Sequence, residues 1–180
     1  MDAARTTDFH EQMLQDYRVE PDPDGLVRIP GGLLGALLRR WTRLVPRSEA
    51  ALLHRLNPIR AMRVAVISRD AARECTRRFG GDGFYDGYPD AFRHTYWNAR
   101  LTQRFGEAWT EQFTTAHERV PAADPVTVAM DLHNNKVGRQ IGATHRTAAR
   151  SALASAVEAA VRGGQTVHIA ADGRLRRTGT

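Results

Sequence analysis

The sequence predicts a mainly α-helical fold: a single compact domain of six or seven helices with a small C-terminal β-hairpin. Apolar residues recur every three to four positions along most of the chain, which is the period of an amphipathic helix. Gly, Pro and Asn-Pro or Asp-Pro pairs interrupt these segments at helix-length intervals. The chain has 180 residues, 42% of them hydrophobic, which is enough for one core, so we expect one domain over 1–180.

The first half of the chain is predicted to begin with a helix over 7–17, followed by a short strand at 26–30. Three further helices are expected over 33–45, 48–56 and 59–79. We expect Ser48 to cap the second of these, and Pro46, Pro58 and Gly80 to end the three helices. The helix over 33–45 is basic and amphipathic, as in interfacial membrane helices. Because its apolar stretch is short, we favour an ordinary helix that packs on the core.

The second half of the chain is predicted to hold the polar motifs, after a loop over 80–89. Its expected elements are helices over 91–105, 107–118, 125–141 and 147–162, and a β tail over 165–178. Asp90 is the expected N-cap of the first helix, and Asp124 with Pro125 should open the third. The tail alternates around Asp172 and Gly173, which predicts a hairpin.

The composition limits the classes of function. The net charge is +6 and almost all cations are arginine, but the arginines are scattered along the sequence, so a nucleic-acid-binding module is only our third hypothesis. Cys75 is the only cysteine, which excludes an internal disulfide framework and any CxxC site.

The sequence shows neither a recognisable secretory signal peptide nor an apolar run long enough to span a membrane. The first fifteen residues are mixed and acidic, unlike a secretory signal peptide, and the longest strongly apolar run, 33–38, has six residues and is too short for a transmembrane segment. We therefore expect a cytoplasmic protein, or one exported without a cleavable signal peptide.

Polar side chains lie on helix faces that should be buried. His94 and Asn98 share a stripe with apolar residues, and Trp97 lies beside them. His117 follows Phe113 by four residues, so it should also face inward, with Glu118 at the edge.

The helix expected over 125–141 carries a polar face. Its members are spaced by i, i+3, i+4, i+7 and i+11, namely Asp131, Asn134, Asn135, Gly138 and Gly142. Glycine inside a helix costs about 1 kcal/mol relative to alanine. Gly138 therefore predicts a close approach of another helix or of a ligand.

We consider two interpretations of these polar groups. In the first they form a catalytic site: His94 or His117 is the general base, and Glu118 or Asp131 orients it or holds a metal. The expected substrate-binding residues are then Arg93, Trp97, Asn98, Asn134, Asn135, Gly138 and Arg139. In the second interpretation, the groups form a structural network that fixes three helices in register.

One divalent metal ion, zinc or manganese, is a candidate cofactor, with His94, His117, Glu118 and Asp131 as candidate ligands. A metal-free His–carboxylate dyad is the alternative, since nearby arginines would repel a cation and no spacing repeats a familiar ligand pair. HERVP at 117–121 lacks the second histidine of an HExxH protease. Thr95 follows His94, where secreted phospholipases A2 have aspartate after the catalytic histidine.

Three segments, DAFRHTYWNARLTQRFG, TTAHE and MDLHNNKVGRQIG, resemble a bacterial domain family that occurs free-standing and at the C-termini of polymorphic-toxin-type proteins. Its pattern is D-A-F-R-H-x-x-W-N, A-H-E and M-D-L-x-N-N-x-x-G-R, which covers a motif core over 90–142. The resemblance implies these signature positions: Asp90, Arg93, His94, Trp97, His117, Glu118, Asp131, Asn134, Asn135 and Gly138. It also implies an effector or toxin-like enzyme, with hydrolases as the leading class.

Our first hypothesis is therefore a small bacterial hydrolase-like domain acting on a phosphate or acyl ester. The alternative is a non-catalytic helical interaction or accessory domain. The expected partners are a small-molecule, lipid or acidic substrate and a protein such as an immunity or secretion factor.

Overall fold

The computed structural model describes residues 8–30, 42–80 and 86–179. The helices in these ranges are α1 (Phe9–Asp16), α2 (Arg47–His54), α3 (Pro58–Phe79), α4 (Tyr88–Phe105), α5 (Glu107–His117), α6 (Pro125–Thr144) and α7 (Arg150–Arg162). The strands are β1 (Leu26–Pro30), β2 (Thr42–Pro46), β3 (Val167–Ile169) and β4 (Leu175–Arg177), paired antiparallel as β1–β2 and β3–β4. These elements confirm the predicted mainly α fold and the C-terminal hairpin. None of the described helices is long and apolar enough to cross a bilayer.

Helix α4 is the centre of the molecule. It packs against α3, α5, α6 and α7, and every residue from Asp90 to Thr102 except Arg93 is buried. Its apolar side chains, such as Phe92 and Leu101, belong to the main core. Because α4 is enclosed on all sides, its polar side chains are enclosed as well.

Helices α4 and α6 approach closely at two glycines of α6. A Cβ atom at position 138 would lie 2.2 Å from the carbonyl oxygen of Thr95, and one at position 142 would lie 2.5 Å from that of Ala99. Only glycine fits at such a contact. Gly138 was expected to admit a helix or a ligand, and the helix accounts for it. The close contact lays the polar face of α6 against α4.

The helix expected over 33–45 is wrong for its last four residues, and 31–41 lie outside the described residues. Residues 42–46 form β2, which pairs with β1 in the register from Leu26 opposite Pro46 to Pro30 opposite Thr42. Val45 and Ile29 are buried together against Ala50 of α2. Pairing with a distant strand therefore outweighs the local helical pattern.

Two expected helix caps are also wrong. Helix α4 begins at Tyr88, so Asp90 lies inside its first turn, where its carboxylate accepts a hydrogen bond from the Asp86 amide at 3.0 Å. Ser48 lies inside α2, and its amide donates to the Asp22 carboxylate at 2.7 Å. By contrast, Asp124 caps α6 as predicted, because its side chain accepts from the Val126 amide.

The C-terminal hairpin is attached to α1 and α6. The Leu175 amide donates to Nδ1 of His10 at 3.1 Å, and Arg174 forms an ion pair with Asp8. Both ends of the described chain therefore meet on one side of the molecule.

Candidate functional site

The His94 cluster consists of Asp90, Arg93, His94, Glu118 and Asp131, brought together by α4, α6 and the residue that follows α5. Nε2 of His94 lies 3.5 Å from a carboxylate oxygen of Asp90 and 3.5 Å from one of Asp131. Its Nδ1 lies 4.0 Å from a Glu118 oxygen. Four of the five residues are buried, and Arg93 forms the outer edge with a side chain that is 31% exposed.

The proton on His94 can be assigned from its neighbours. Arg93 has only donors, so its contact of 2.6 Å with Nε2 makes that nitrogen an acceptor, and the proton is on Nδ1. Burial, together with the charges of Arg93 and His117, holds the pKa of His94 well below its ordinary value. His94 is therefore a neutral imidazole, with its lone pair directed at the Asp90 and Asp131 side.

Two carboxyl groups of the cluster have pKa values that are shifted upwards, in the opposite direction to that of His94. Burial and then the charges of Glu118 and Asp90 raise the pKa of Asp131 well above its ordinary value. Burial also raises the pKa of Glu118. One oxygen of Asp131 has no hydrogen-bond partner in the described chain. Several carboxyl groups thus share one buried space with little positive charge to balance them.

Two asparagines connect the cluster to the helix contact. Asn135 donates to Glu118 at 2.9 Å, and Asn98 donates both to Asn135 and to the His94 carbonyl. All of these groups are buried. The amides fix the orientation of Glu118 and the helix register at the same time.

His117 lies apart from this carboxyl cluster and has a different partner. Its Nδ1 is 2.8 Å from Glu49, a residue of α2 that is fully buried. Arg43 of β2 binds the other Glu49 oxygen at 2.7 Å. Burial lowers the pKa of His117, but the hydrogen bond to Glu49 and the charges of Glu118 and Glu49 outweigh it and raise the pKa. We call His117 and Glu49 the His117 dyad, and Arg43 is the cation that contacts its carboxylate.

Trp97 lies between the two histidines. Its ring is 6.3 Å from that of His94 and 5.2 Å from that of His117, in both cases edge to face. Its buried indole N–H has no hydrogen-bond partner in the described chain. The two sites are therefore neighbours that share one aromatic wall.

Other predicted site residues have structural partners. Asn134 was expected to position a substrate, but its amide binds both the carbonyl and the N–H of Val167 in β3, at 2.9 and 3.0 Å. Arg139 donates to Glu111 of α5 at 3.1 Å instead of reaching the His94 cluster. Asn134, Arg139 and Gly138 therefore hold α6 against β3, α5 and α4, respectively.

A cavity lies near the His117 dyad. It has a volume of about 450 Å³ and lies between β1, β2, α2 and α3, with a mostly apolar wall. Arg43 and Ala50 belong to that wall, so the cavity borders the Glu49 side of the dyad.

Sequence reasoning missed Glu49 and Arg43 and assigned Asp90 to a cap. No local spacing marks Glu49, because it is 68 residues from His117. Asp90 was detectable, since it precedes His94 by four residues and such pairs share a helix face.

Fold and site together define a mainly α domain with a buried His–carboxylate cluster, beside a pair in which the partly exposed His117 contacts the buried Glu49. A model of the family described as a domain of unknown function, DUF6973, matches residues 51–165, and the chain belongs to this family. The matched range contains the whole His94 cluster and begins two residues after Glu49. No curated protein and no solved structure matches the chain significantly.

Proposed function

We propose that the chain is an ester hydrolase in which His117 is the general base and Glu49 orients it. The observation that carries the proposal is the 2.8 Å contact of Nδ1 of His117 with the buried Glu49 carboxylate, on a histidine that is 32% exposed. The contact leaves Nε2 of His117 without a partner in the described chain. Hydrolases hold their bases in this way, with one ring nitrogen on a carboxylate and the other available to the substrate.

In the proposed reaction, Nε2 of His117 accepts a proton from water while the water oxygen bonds to the carbonyl carbon or phosphorus of the ester. The bond to the leaving oxygen then breaks, and His117 returns the proton to that oxygen. Glu49 stabilises the imidazolium between the two transfers, and Arg43 fixes the position of the carboxylate. The raised pKa of His117 favours holding the proton at this stage.

The substrate is an acyl or a phosphate ester. The apolar cavity of about 450 Å³ beside Arg43 supports an acyl chain. The net charge of +6 supports an anionic phosphate ester. The resemblance to toxin-associated domains extends the proposal to an effector that harms the cell expressing it and is neutralised by an immunity protein.

The test is hydrolysis of p-nitrophenyl butyrate and of bis(p-nitrophenyl) phosphate by the purified chain, in parallel with growth of cells that express it. We expect His117→Gln and Glu49→Gln to lose about 10²- to 10⁴-fold in rate, as for other general bases. His145→Gln is the matched control, since among the described residues the ring of this histidine has one hydrogen-bond contact, with the backbone carbonyl of Ile141 in α6. Undiminished hydrolysis by both folded dyad variants would reject the proposal.

A second candidate is a non-catalytic interaction or accessory domain. It is favoured by the low exposure of Asp90, His94 and Glu118, which is 3%, 3% and 8%. Asp131→Asn and His117→Gln separate the two candidates. If the domain is non-catalytic, we expect both variants to lose several kcal/mol in free energy of unfolding, and we expect the unaltered chain to show no hydrolysis. An enzyme predicts lost hydrolysis in His117→Gln with only a modest fall in its thermal midpoint.

A further inference from the structure

Three side chains of the His94 cluster present possible ligand atoms to one point. Nε2 of His94 lies 3.5 Å from oxygens of both Asp90 and Asp131, and the three ligand atoms all lie within 4.8 Å of one another. A tetrahedral ion with bonds of about 2.1 Å separates neighbouring ligand atoms by about 3.4 Å. Two of the three separations therefore suit a metal ion without any rearrangement of the helices.

We propose that the His94 cluster binds one divalent transition-metal ion, Zn²⁺ or Mn²⁺, through Nε2 of His94 and one carboxylate oxygen each of Asp90 and Asp131. One imidazole and two carboxylates are ligands that these ions accept. Binding here goes beyond hydrolysis at His117 and does not require it. The ligand set also differs from the one expected from sequence, because it includes Asp90 and excludes His117.

One of the three possible ligand atoms, the Asp131 oxygen at 3.5 Å from Nε2 of His94, is also unpartnered among the described residues. An Asp131 oxygen has no hydrogen-bond partner in the described chain, although the residue is only 7% exposed. Buried polar atoms are almost always paired, and leaving one unpaired is costly. A metal ion at the proposed position would bind this oxygen and supply the positive charge that the carboxyl groups lack.

The protonation of His94 also suits a metal. A ligating imidazole must present a lone pair, and Nε2 is the unprotonated nitrogen. The other nitrogen, Nδ1, lies 4.0 Å from Glu118, which is too long for a hydrogen bond, and it has no hydrogen-bond partner in the described chain. Metal-bound histidines commonly donate the proton of their other ring nitrogen to a carboxylate, which fixes the ring. Asn135 holds the Glu118 carboxylate at that distance, so a small movement of the ring on metal binding would bring the two groups into contact.

Arg93 competes with the metal for the same position. Its guanidinium donates to Asp90 and to Nε2 of His94, where the ion would lie. The Arg93 side chain is 31% exposed, so it can turn towards solvent when an ion enters. Two cations cannot share that point. Removing Arg93 should therefore increase the metal affinity, whereas removing a true ligand should decrease it.

Three protein ligands leave one position of a tetrahedral ion for water or another small ligand, as in catalytic rather than structural sites. The displaced Arg93 would lie at the rim of this position. It would then favour an anionic ligand over a neutral one.

The experiment titrates the chelator-treated chain of 180 residues with ZnCl₂ and with MnCl₂. Binding is measured by calorimetry and by tryptophan fluorescence, since the Trp97 ring lies 6.3 Å from that of His94. We expect one ion per chain. His94→Gln and Asp131→Asn should weaken binding at least about tenfold, the loss expected even when only a supporting residue of a metal site is removed. Arg93→Gln should strengthen it. Glu111→Gln, which removes a carboxylate that is 60% exposed on α5, should bind like the unaltered chain.

Two results would overturn the inference: no binding by either the unaltered chain or Arg93→Gln, or binding that His94→Gln and Asp131→Asn leave unchanged. If these two ligand variants do not fold, the comparison of the unaltered chain with Arg93→Gln decides, because Arg93 is partly exposed. His117→Gln keeps the metal while losing hydrolysis, so failure of the proposed function and failure of this inference have different readouts.

Discussion

His94 and His117 both contact Trp97, yet their surroundings shift their pKa values in opposite directions. His94 is buried beside an arginine, and the pKa falls well below 6.5. His117 is bound to Glu49, and the pKa rises above 6.5 despite burial. Within one small region, burial beside an arginine thus favours the neutral form of one imidazole, and contact with a carboxylate favours the protonated form of the other.

The raised pKa of His117 predicts a specific pH dependence of stability. Its charged and titratable neighbours are Glu49 of α2, Arg43 of β2, Glu118 and His94. Because the folded pKa exceeds the unfolded value of about 6.5, the stabilisation by His117 is complete below pH 6.5 and is lost as the pH rises through the folded pKa. The difference in free energy of unfolding between the unaltered chain and His117→Gln should therefore shrink from pH 6 to pH 8.5.

Urea unfolding at several pH values measures this difference, and the titration of the His117 ring protons by NMR gives the folded pKa directly. Glu49→Gln should lower that pKa. A stability difference that is independent of pH would contradict the expected ionisation of His117.

At the scale of single residues, sequence spacing identified the residues of one helix but not their partners on others. The spacing on α6 grouped Asp131, Asn135 and Gly138 on one face, and the structure shows that all three contact residues of α4. The partner of His117 could not be found in this way, because Glu49 reaches it through the packing of α2 on α5. A contact between residues that are 68 positions apart depends on the tertiary fold, and the periodic spacing of residues along one helix does not reveal it.

At the scale of elements, the α4–α6 contact depends on Gly138. Alanine in place of glycine normally stabilises a helix by about 1 kcal/mol. Here the added Cβ would lie 2.2 Å from the Thr95 carbonyl oxygen, which is backbone and cannot move aside alone. We expect Gly138→Ala to lose about 1–3 kcal/mol, as overpacked cores do. Urea unfolding measures the loss, and a more stable variant would show that the helices separate without cost.

The contact between α6 and β3 depends on Asn134. Its side chain pairs with both backbone groups of Val167, as a neighbouring strand would. Asn134→Ala leaves two buried backbone groups unpaired, and we expect a loss of about 3 kcal/mol in unfolding free energy. Asn57→Ala, which removes the exposed cap of α3, is the control and should cost about 1 kcal/mol. Equal losses in the two variants would refute the role of Asn134.

Elements with strong local signals could be predicted, and those formed by distant pairing could not. Gly106 and Asp124 bound helices where expected, since both act on adjacent backbone groups. Residues 42–46 pair with β1, and that pairing is invisible to a window of neighbouring residues.

At the scale of the whole molecule, arginines that are scattered in the sequence gather in space. Five of them line one cavity of about 260 Å³ between α3, α4 and α7, namely Arg63, Arg100, Arg104, Arg146 and Arg150. Asp70 pairs with two of these, at 3.8 and 3.2 Å. The scattered arginines of the sequence thus form a local concentration of positive charge in the fold.

The meeting of α1 with the C-terminal hairpin predicts that the order of segments along the chain can be changed without changing the fold. His10 and Asp8 contact Leu175 and Arg174, so a flexible linker long enough to run from residue 179 along the hairpin to residue 8 should join the two segments. New ends can be opened at Ala122, which is exposed between α5 and α6 and has a φ of 59°. We expect this circular permutant to keep the helical circular dichroism and cooperative melting of the unaltered chain. A permutant without cooperative melting would show that the covalent order of α5 and α6 is itself required for folding.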